Sequence, residues 1–521
     1  MAIFKVILKY MKVTWIGLRS QKKSGIVISY LTLFINSFFG IFFTPFLISS
    51  LGASEYGLYQ LVNSFAGYLV ILNFGTGAVI SRYVALYRTK KDSLGQENFL
   101  FQAFMITGIL SILTIFVSSA LYVGIDGLFG NSLTTVELVK AKQLFILMVT
   151  NIAFSFFTNA FSGILTGYEK FAVTNIFKLL RIVLRVILLV ILLLLGFKSI
   201  AIVATDLFLT IILTVFEASY SFKKLEVKIK FHFYDKALLW MIFSFSSAVF
   251  LQAIINQVNQ NVDRVVLGAM TDTETVALYS IALVFFTMFS NITGVIGGVF
   301  LPQATKMIAA NATGEELTDL VIRPGRLQFM VAGAAVAGFI LFGQNFIKIW
   351  VGDNFLDAYI PTILLLVPTT ITLVQNVTIA ILDAMLKRMT RSLILAIMAG
   401  LNIVLTIILV GELGYMGAAI STSISLVIGN IVLMNLYYHK VIGLNVIRMF
   451  KEIFRGTFSS IIIASLLSFP LALILEDTVG YFIIKASTFV IIYGTLLYKF
   501  SFNEYEKKIL MGSLKKASRI K

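Results

Sequence analysis

The 521-residue chain contains no cysteine, which excludes disulfides and thiolate metal sites. Its two histidines, His232 and His439, lie in basic stretches without a second ligand beside them, so no metal-ligand cluster stands out. No phosphate-binding glycine loop and no Ser/His/Asp arrangement appears, and the loops are too short to hold an ATPase domain. No cofactor and no catalytic constellation is implied. Charge is scarce as well: 13% of residues are Asp, Glu, Lys or Arg, where a soluble globular domain carries roughly 25%.

What the chain has instead is apolar length. Hydrophobic residues make up 59% of it, and long apolar stretches alternate with short loops. Lysine and arginine collect in every second loop. They stand at Lys5, Lys9, Lys12, Arg19, Lys22 and Lys23, at Arg88, Lys90 and Lys91, and at Lys223, Lys224, Lys228, Lys230 and Lys236. They return at Lys387, Arg388 and Arg391, at Lys440, Arg448, Lys451 and Arg455, and from Lys499 to Lys521. The intervening loops carry Glu55, Asp126, Asp272, Glu274, Asp353, Asp357, Glu412, Glu476 and Asp477. Retention of basic loops on the cytoplasmic side produces this alternation. The expectation is an all-α polytopic membrane protein with both termini cytoplasmic. The net charge of +17 then reads as attraction to anionic membrane lipids rather than to nucleic acid.

A span needs about 20 apolar residues. On that rule helices are expected near 24–50, 57–82, 99–123, 143–166, 174–195, 200–220, 237–262 and 277–301. The series continues near 327–345, 359–383, 392–410, 416–438, 457–475 and 481–498, about fourteen in all, an even number as two cytoplasmic termini require. Residues 1–23 place Lys5, Lys9, Lys12 and Arg19 on one face and read as an interfacial amphipathic helix, not a cleavable signal. Trp15, Trp240 and Trp350 fall beside span ends, as interfacial anchors do.

The chain repeats itself at an offset of about 218 residues. LGASEYGLY (51–59) faces LGAMTDTETVALY (267–279), NFGTGAVI (73–80) faces NITGVIGGVF (291–300), and GFKSIA (196–201) faces GYMGAA (414–419). Two six-helix lobes follow, 24–222 and 237–440, joined by the basic linker 223–236, which reads either as a tether or as a surface-lying helix. Two extra helices lie within 441–498, and 499–521 forms a basic tail. Lobes with an even span count enter the membrane with the same orientation, an arrangement that suits substrate binding between repeats and alternating access.

At TPFLISSLGASEYGLYQL (44–61), GTGAVISRYVALYRTKK (75–91), LTGYEKF (165–171), VDRVVLGAMTDTETVALYSIA (262–282) and LGYMGAAISTSIS (413–425) the chain resembles the MOP exporter superfamily, and within it the Wzx-type polysaccharide-biosynthesis flippases. The resemblance implies a transporter, not an enzyme. It would move an undecaprenyl-diphosphate-linked oligosaccharide from the cytoplasmic to the outer leaflet, with basic residues in a cavity for the diphosphate. It also implies polysaccharide polymerase or glycosyltransferases as partner proteins. Drug exporters of the same superfamily typically carry an acid within the first span. Here that span holds Asn36 and no carboxylate, which counts against a cation-coupled multidrug exporter as the alternative. A membrane polymerase or ligase would need a large outer loop, and the longest expected one, 124–142, is small.

A charge at the bilayer centre costs at least ~2.5 kcal/mol, so ionisable residues inside spans mark candidate sites. Arg185 lies in the middle of the expected span 174–195, and Arg181 one turn earlier on the same face. The matching positions of the second lobe, near Ala399 and Ile403, are apolar. Guanidinium groups take bidentate contacts to a diphosphate. The other reading has Arg185 paired with Asp206 and Arg181 reaching to the cytoplasmic interface. Arg82 ends the second span, either lining the cytoplasmic mouth or as an ordinary basic flank. Gln252, Asn256, Asn259 and Asp263 form a polar stripe on the seventh span, beside Arg264. The amides suit hydroxyl-rich sugar or interhelical hydrogen bonds; Asp263 and Arg264 read as a gate or an ion pair. Asp383 reads as a helix-end partner of Lys387 and Arg388, Pro45 and Pro368 as kinks, and Gly75, Gly77, Gly297 and Gly298 as close-contact positions.

Overall fold

The structure, a computed structural model, describes residue 40 and residues 42–234, 236–474, 478–503 and 506–507. The amphipathic segment 1–23, Trp15, Asn36, most of the first expected span, Glu476, Asp477 and the tail from 508 lie outside the described residues, as do the side chain of Trp240 and the surroundings of Gly297 and Gly298. Among the described residues all regular structure is helical.

The helices are α1 (Phe42–Leu51), α2 (Ala53–Gly67), α3 (Thr76–Lys90), α4 (Ser93–Phe129), α5 (Thr135–Gly167), α6 (Phe171–Leu194), α7 (Ser199–Lys223), α8 (Lys236–Met270) and α9 (Thr273–Val299). They continue with α10 (Leu301–Ala309), α11 (Gly314–Val351), α12 (Tyr359–Val374), α13 (Val377–Ala384), α14 (Arg388–Leu426), α15 (Val446–Phe454), α16 (Thr457–Ile474) and α17 (Val479–Leu496). Ten helical stretches among the described residues are long and apolar enough to cross a membrane, against about fourteen expected. α6 is not among the ten because Lys178, Arg181 and Arg185 interrupt its apolar run. The 54-residue stretch Met389–Ile442 counts once, although its backbone breaks at Gly414 (φ 54°, ψ −134°).

Polar caps carry several helices past their apolar runs. α5 starts on a capping box in which Thr134 and Glu137 exchange hydrogen bonds, and α11 on the same device from Thr313 and Glu316. Two expectations change for this reason. The loop expected over 124–142 is helical on both sides of a short turn, since α4 reaches Phe129 and α5 begins at Thr135. The span expected at 327–345 is a 38-residue helix with Pro324 inside it. Apolar content measures the membrane-crossing part of a helix, not its capped ends. The repeat aligns Gly196 with Gly414, and both adopt positive φ, 87° and 54°.

The basic linker is not helical over residues 225–234. After a turn at Glu226 (φ 53°), residues 227–234 form neither helix nor strand and are held against the start of α4. Asn98 Oδ1 accepts from the backbone N–H of His232 and of Phe233, both at 3.1 Å. Gln102 Nε2 donates to the Phe233 carbonyl at 3.2 Å, and Val227 is buried in the adjoining core. Val227, Ile229, Phe231 and Phe233 alternate with Lys228, Lys230 and His232, a period of two that fits extended backbone.

The chain divides into two compact units, up to Ala277 and from Leu278, so α8 packs with the first unit. In that unit α5 is central, touching α2, α3, α4 and α7. Its approach to α3 is close. A Cβ on Gly163 would stand 2.5 Å from the Gly77 carbonyl oxygen, and one on Gly77 2.7 Å from that of Asn159. Gly75, by contrast, serves a turn at φ 67°. In the second unit α11 is central, covered by α12, α15, α16 and α17. Arg326 of α11 is buried there, and all its donors are used. Nε donates to Glu506 Oε1 at 2.8 Å, Nη1 to the carbonyls of Glu452 (2.6 Å) and Arg455 (3.2 Å), and Nη2 to the Ser501 carbonyl (2.9 Å) and Glu506 Oε2 (3.4 Å). This holds the segment after α17 to the centre of the unit.

The glycine contact gives a direct test. Gly163→Val should force α3 from α5 and destabilise the protein by about 1–3 kcal/mol. Gly108→Ala, whose added Cβ would meet open space, should not lower the thermal unfolding temperature of detergent-purified protein.

Candidate functional site

The polar interior of the first unit is built by α6 and α7. Lys178, Arg181 and Arg185 are spaced three and four apart on α6, so they share a face. On α7, Asp206, Thr210, Thr214, Glu217 and Ser221 do the same. Arg185 meets Asp206 bidentately, Nε to Oδ1 at 2.6 Å and Nη2 to Oδ2 at 2.9 Å, with Tyr59 of α2 also touching the guanidinium. Their side chains are 34% and 18% exposed, so the pair is shielded but not sealed. Arg181 Nη2 donates to Thr210 Oγ1 at 3.0 Å, within the field of both Asp206 and Glu217. Helix α5 closes the third side. Thr158 and Thr214 share a hydrogen bond of 2.5 Å, and the Ser162 hydroxyl lies 2.8 Å from each oxygen of Glu217. Three cations less two acids leave this column at +1 with all five groups ionised.

In the helix pair that the repeat aligns with α6 and α7, neutral contacts occupy the middle. There Asn402 Nδ2 donates to Thr422 Oγ1 at 2.9 Å, and Thr406 meets Ser421 at 2.6 Å.

The other expected site residues fall elsewhere. Arg82 is exposed on α3, its guanidinium 5.7 Å from the neighbouring Tyr83 ring. On α8 the expected stripe divides. Gln252 Nε2 donates to Asn256 Oδ1 at 3.1 Å on an exposed stretch, and Asn259 is half-buried. Asp263 is buried, and Arg264 Nη1 donates to Ser64 Oγ of α2 at 3.2 Å. The first unit thus joins Arg181 and Arg185 in one column and leaves Arg82 and the α8 residues outside it.

Sequence reasoning missed Glu217, which is 0% exposed. The signal was present: a carboxylate in the apolar run TVFEAS, on the same face as Asp206. It also read Glu55 as a loop acid. Glu55 accepts from Lys140 Nζ at 2.6 Å and from the hydroxyl of Ser199. Nearby, Glu137 Oε1 accepts from Ser54 (2.8 Å) and Thr273 (2.9 Å). These acids tie the starts of α2, α5, α7 and α9.

Removing one partner of a shielded ion pair strands the other. Arg185→Ala should lower the stability of purified protein by about 1–3 kcal/mol, less than for a sealed pair. Arg185→Ala with Asp206→Ala should recover most of that loss. A double variant no better than the single would show that the two groups do not act as a pair.

A family model described as polysaccharide biosynthesis protein matches residues 22–308. Over 395 residues the chain is 23% identical to a putative O-antigen transporter of Shigella flexneri, covering 75% of this chain and 92% of that one. Among solved structures it resembles the lipid II flippase MurJ in an inward closed conformation, with TM-score 0.67 and 19% identity over 95% of this chain and 99% of the other. It also resembles an inward-facing multidrug resistance MATE family transporter of the MOP superfamily, with TM-score 0.64 and 18% identity over 82% and 96%. At these identities the structures speak to the fold alone, which is similar to that of these two transporters. The family match spans more than half of the sequence, and the chain belongs to the polysaccharide biosynthesis protein family.

Proposed function

We propose that this multi-pass membrane protein is a flippase, not an enzyme. It carries an undecaprenyl-diphosphate-linked oligosaccharide from the cytoplasmic to the outer leaflet of the bacterial plasma membrane, with both of its termini cytoplasmic. The observation that carries this reading is Arg181. It is a guanidinium in α6 that, among the described residues, makes one side-chain hydrogen bond and has donors to offer. Lys178 lies one turn away on the same face and is exposed. A diphosphate is the anion that such a pair accommodates with charge-assisted hydrogen bonds. Arg185 supports the site by holding α6 to α7 through Asp206, so its role in this reading is positioning. The amides Gln252, Asn256 and Asn259 on α8 supply hydrogen-bonding groups for sugar hydroxyls, Arg82 recruits the headgroup, and Asp263 and Arg264 brace α8 against α2.

The second unit adds support of another kind. An apolar groove of about 840 Å³ lies between α11 and α17, lined by Phe339, Phe342, Phe346, Phe482, Phe489 and Tyr493 among others. Its size and lining suit part of a long prenyl chain. A second reading, export of a cationic small molecule coupled to an ion, draws on the intramembrane acids Asp206 and Glu217. Cations outnumber those acids three to two in the column, which favours the anionic substrate. Polysaccharide polymerase and glycosyltransferases remain the proposed partner proteins.

The test is transport by purified protein in liposomes, using a fluorescent undecaprenyl-diphosphate disaccharide whose outer-leaflet copies are bleached by an impermeant reductant. The expected result is protein-dependent flipping. Arg181→Ala should reduce its rate about tenfold or more, with normal unfolding temperature, and Arg181→Lys less, since charge is kept and the planar fork lost. Flipping that is unchanged in Arg181→Ala would remove the site from this reading. Flipping absent in the wild type, with efflux of a cationic dye instead, would favour the second.

A further inference from the structure

The column contains one group whose surroundings do not fit a permanent charge. Glu217 is fully buried in α7, yet its two oxygens share a single hydroxyl, that of Ser162. An ionised carboxylate has about four lone-pair sites to satisfy, and one hydroxyl proton serves one of them. The Ser221 hydroxyl does not help, because it donates to the Glu217 backbone carbonyl. Among the described residues no cation comes within 4.0 Å of Glu217. The charged groups facing it are Lys178 and Arg181 of α6; α5 presents the neutral Ser162.

Three other interior acids are held differently. Asp206 has both arms of a guanidinium. Glu506 has Arg326 and the backbone N–H of Asn503. Glu55 has an ammonium and a hydroxyl. A buried carboxyl without such compensation is neutralised at lower cost by a proton than by distant charges. A neutral carboxyl and a serine hydroxyl also make a matched pair, each able to donate to the other.

Glu217 is also coupled to the anion-binding cations. Arg181 lies in the field of Asp206 and Glu217 together, and Asp206 is already committed to Arg185. Ionised, Glu217 competes with any incoming anion for Arg181 and Lys178. Protonated, it releases them. We propose that Glu217 is a proton-binding site whose occupancy decides whether Arg181 and Lys178 are held by the protein or offered to an anionic diphosphate. No bond other than that to the proton forms or breaks. By linkage the effect is reciprocal: a bound diphosphate favours the proton on Glu217, and the proton favours the diphosphate. The anion half of this inference rests on the flippase reading above; the proton half does not.

The experiment uses the full chain in nanodiscs titrated with farnesyl diphosphate across a pH series. The wild type and Glu217→Gln are compared, because Gln keeps an acceptor for Ser162 and cannot ionise. Farnesyl diphosphate titrates identically in both, so it cancels in their ratio. The dissociation constant of the wild type divided by that of Glu217→Gln should approach one at low pH and rise several-fold at high pH. A ratio that does not change with pH, or weaker binding by Glu217→Gln throughout, would overturn the proposal. Infrared difference spectra on changing pH provide the second readout. A protonated-carboxyl band should be present in the wild type, absent in Glu217→Gln, and shifted in frequency in Ser162→Ala, which loses the hydrogen bond to it. If the wild type binds no diphosphate, the flippase reading fails, and the infrared bands alone decide the proton site. A wild-type spectrum without a band assignable to Glu217 at any pH would then overturn it.

Discussion

The first unit depends on the bidentate pair between Arg185 and Asp206. An unpaired guanidinium in the middle of an apolar helix costs at least ~2.5 kcal/mol, and Asp206 is the acid that meets it. Two parallel hydrogen bonds fix distance and orientation together, so the pair sets the register between α6 and α7. The rest of the column follows from that register. Arg181, one turn back, reaches Thr210, one turn on. Glu217, about three turns from Asp206, falls beside Ser162 of α5. Shifting the pair would lose both contacts.

The two units treat a buried guanidinium in opposite ways, and the contrast separates structure from function. Arg326 uses all five donors on two carbonyls of one turn, a third carbonyl and a carboxylate. Nothing of it is left for a ligand, and its effect is to hold the end of the chain in place. Arg181 makes one side-chain hydrogen bond, to a hydroxyl. A guanidinium has five N–H donors, and this contact uses one of them, which is why the proposed anion site is placed at Arg181 and not at Arg326. Arg185 lies between these cases: its charge is answered, but the pair is partly open.

The fold was legible in the sequence wherever it follows from transfer free energy. Apolar runs and basic loops located the helices, and the positive-φ glycines 196 and 414 marked corresponding breaks. Boundaries were less legible, because caps such as Thr134–Glu137 and Thr313–Glu316 extend helices beyond their apolar parts. Of the two readings of the linker, the surface helix is not what residues 225–234 form; their period-two pattern and the amides Asn98 and Gln102 that bind their backbone fit non-helical chain. In the site, Arg185 was found by its position, and Asp206 was named as one of its two partners. Glu217 was overlooked because it lies near the end of an expected span, where an acid looks like an ordinary flank. Its burial comes from α5, a neighbour that helical periodicity on α7 cannot reveal.

The internal repeat gives the final argument for function in the charged column. The second-unit helices that align with α6 and α7 are joined by Asn402–Thr422 and Thr406–Ser421, neutral amide and hydroxyl pairs at 2.9 and 2.6 Å. Holding two helices of this architecture together therefore does not require ions. Buried ion pairs are seldom better for stability than neutral or apolar substitutes, because desolvation offsets most of the attraction. Three cations and two acids in the first unit are thus an expensive way to do what the Asn402–Thr422 and Thr406–Ser421 contacts do with neutral groups. What distinguishes the ionic version is that its members can change partner. A cation held by a hydroxyl and by the field of a buried acid can be released to another anion, and a carboxyl with one hydroxyl can exchange a proton. Neutral pairs offer neither exchange. In the proposed flippase these two exchanges, with an anion and with a proton, are what charge in the first unit adds to packing.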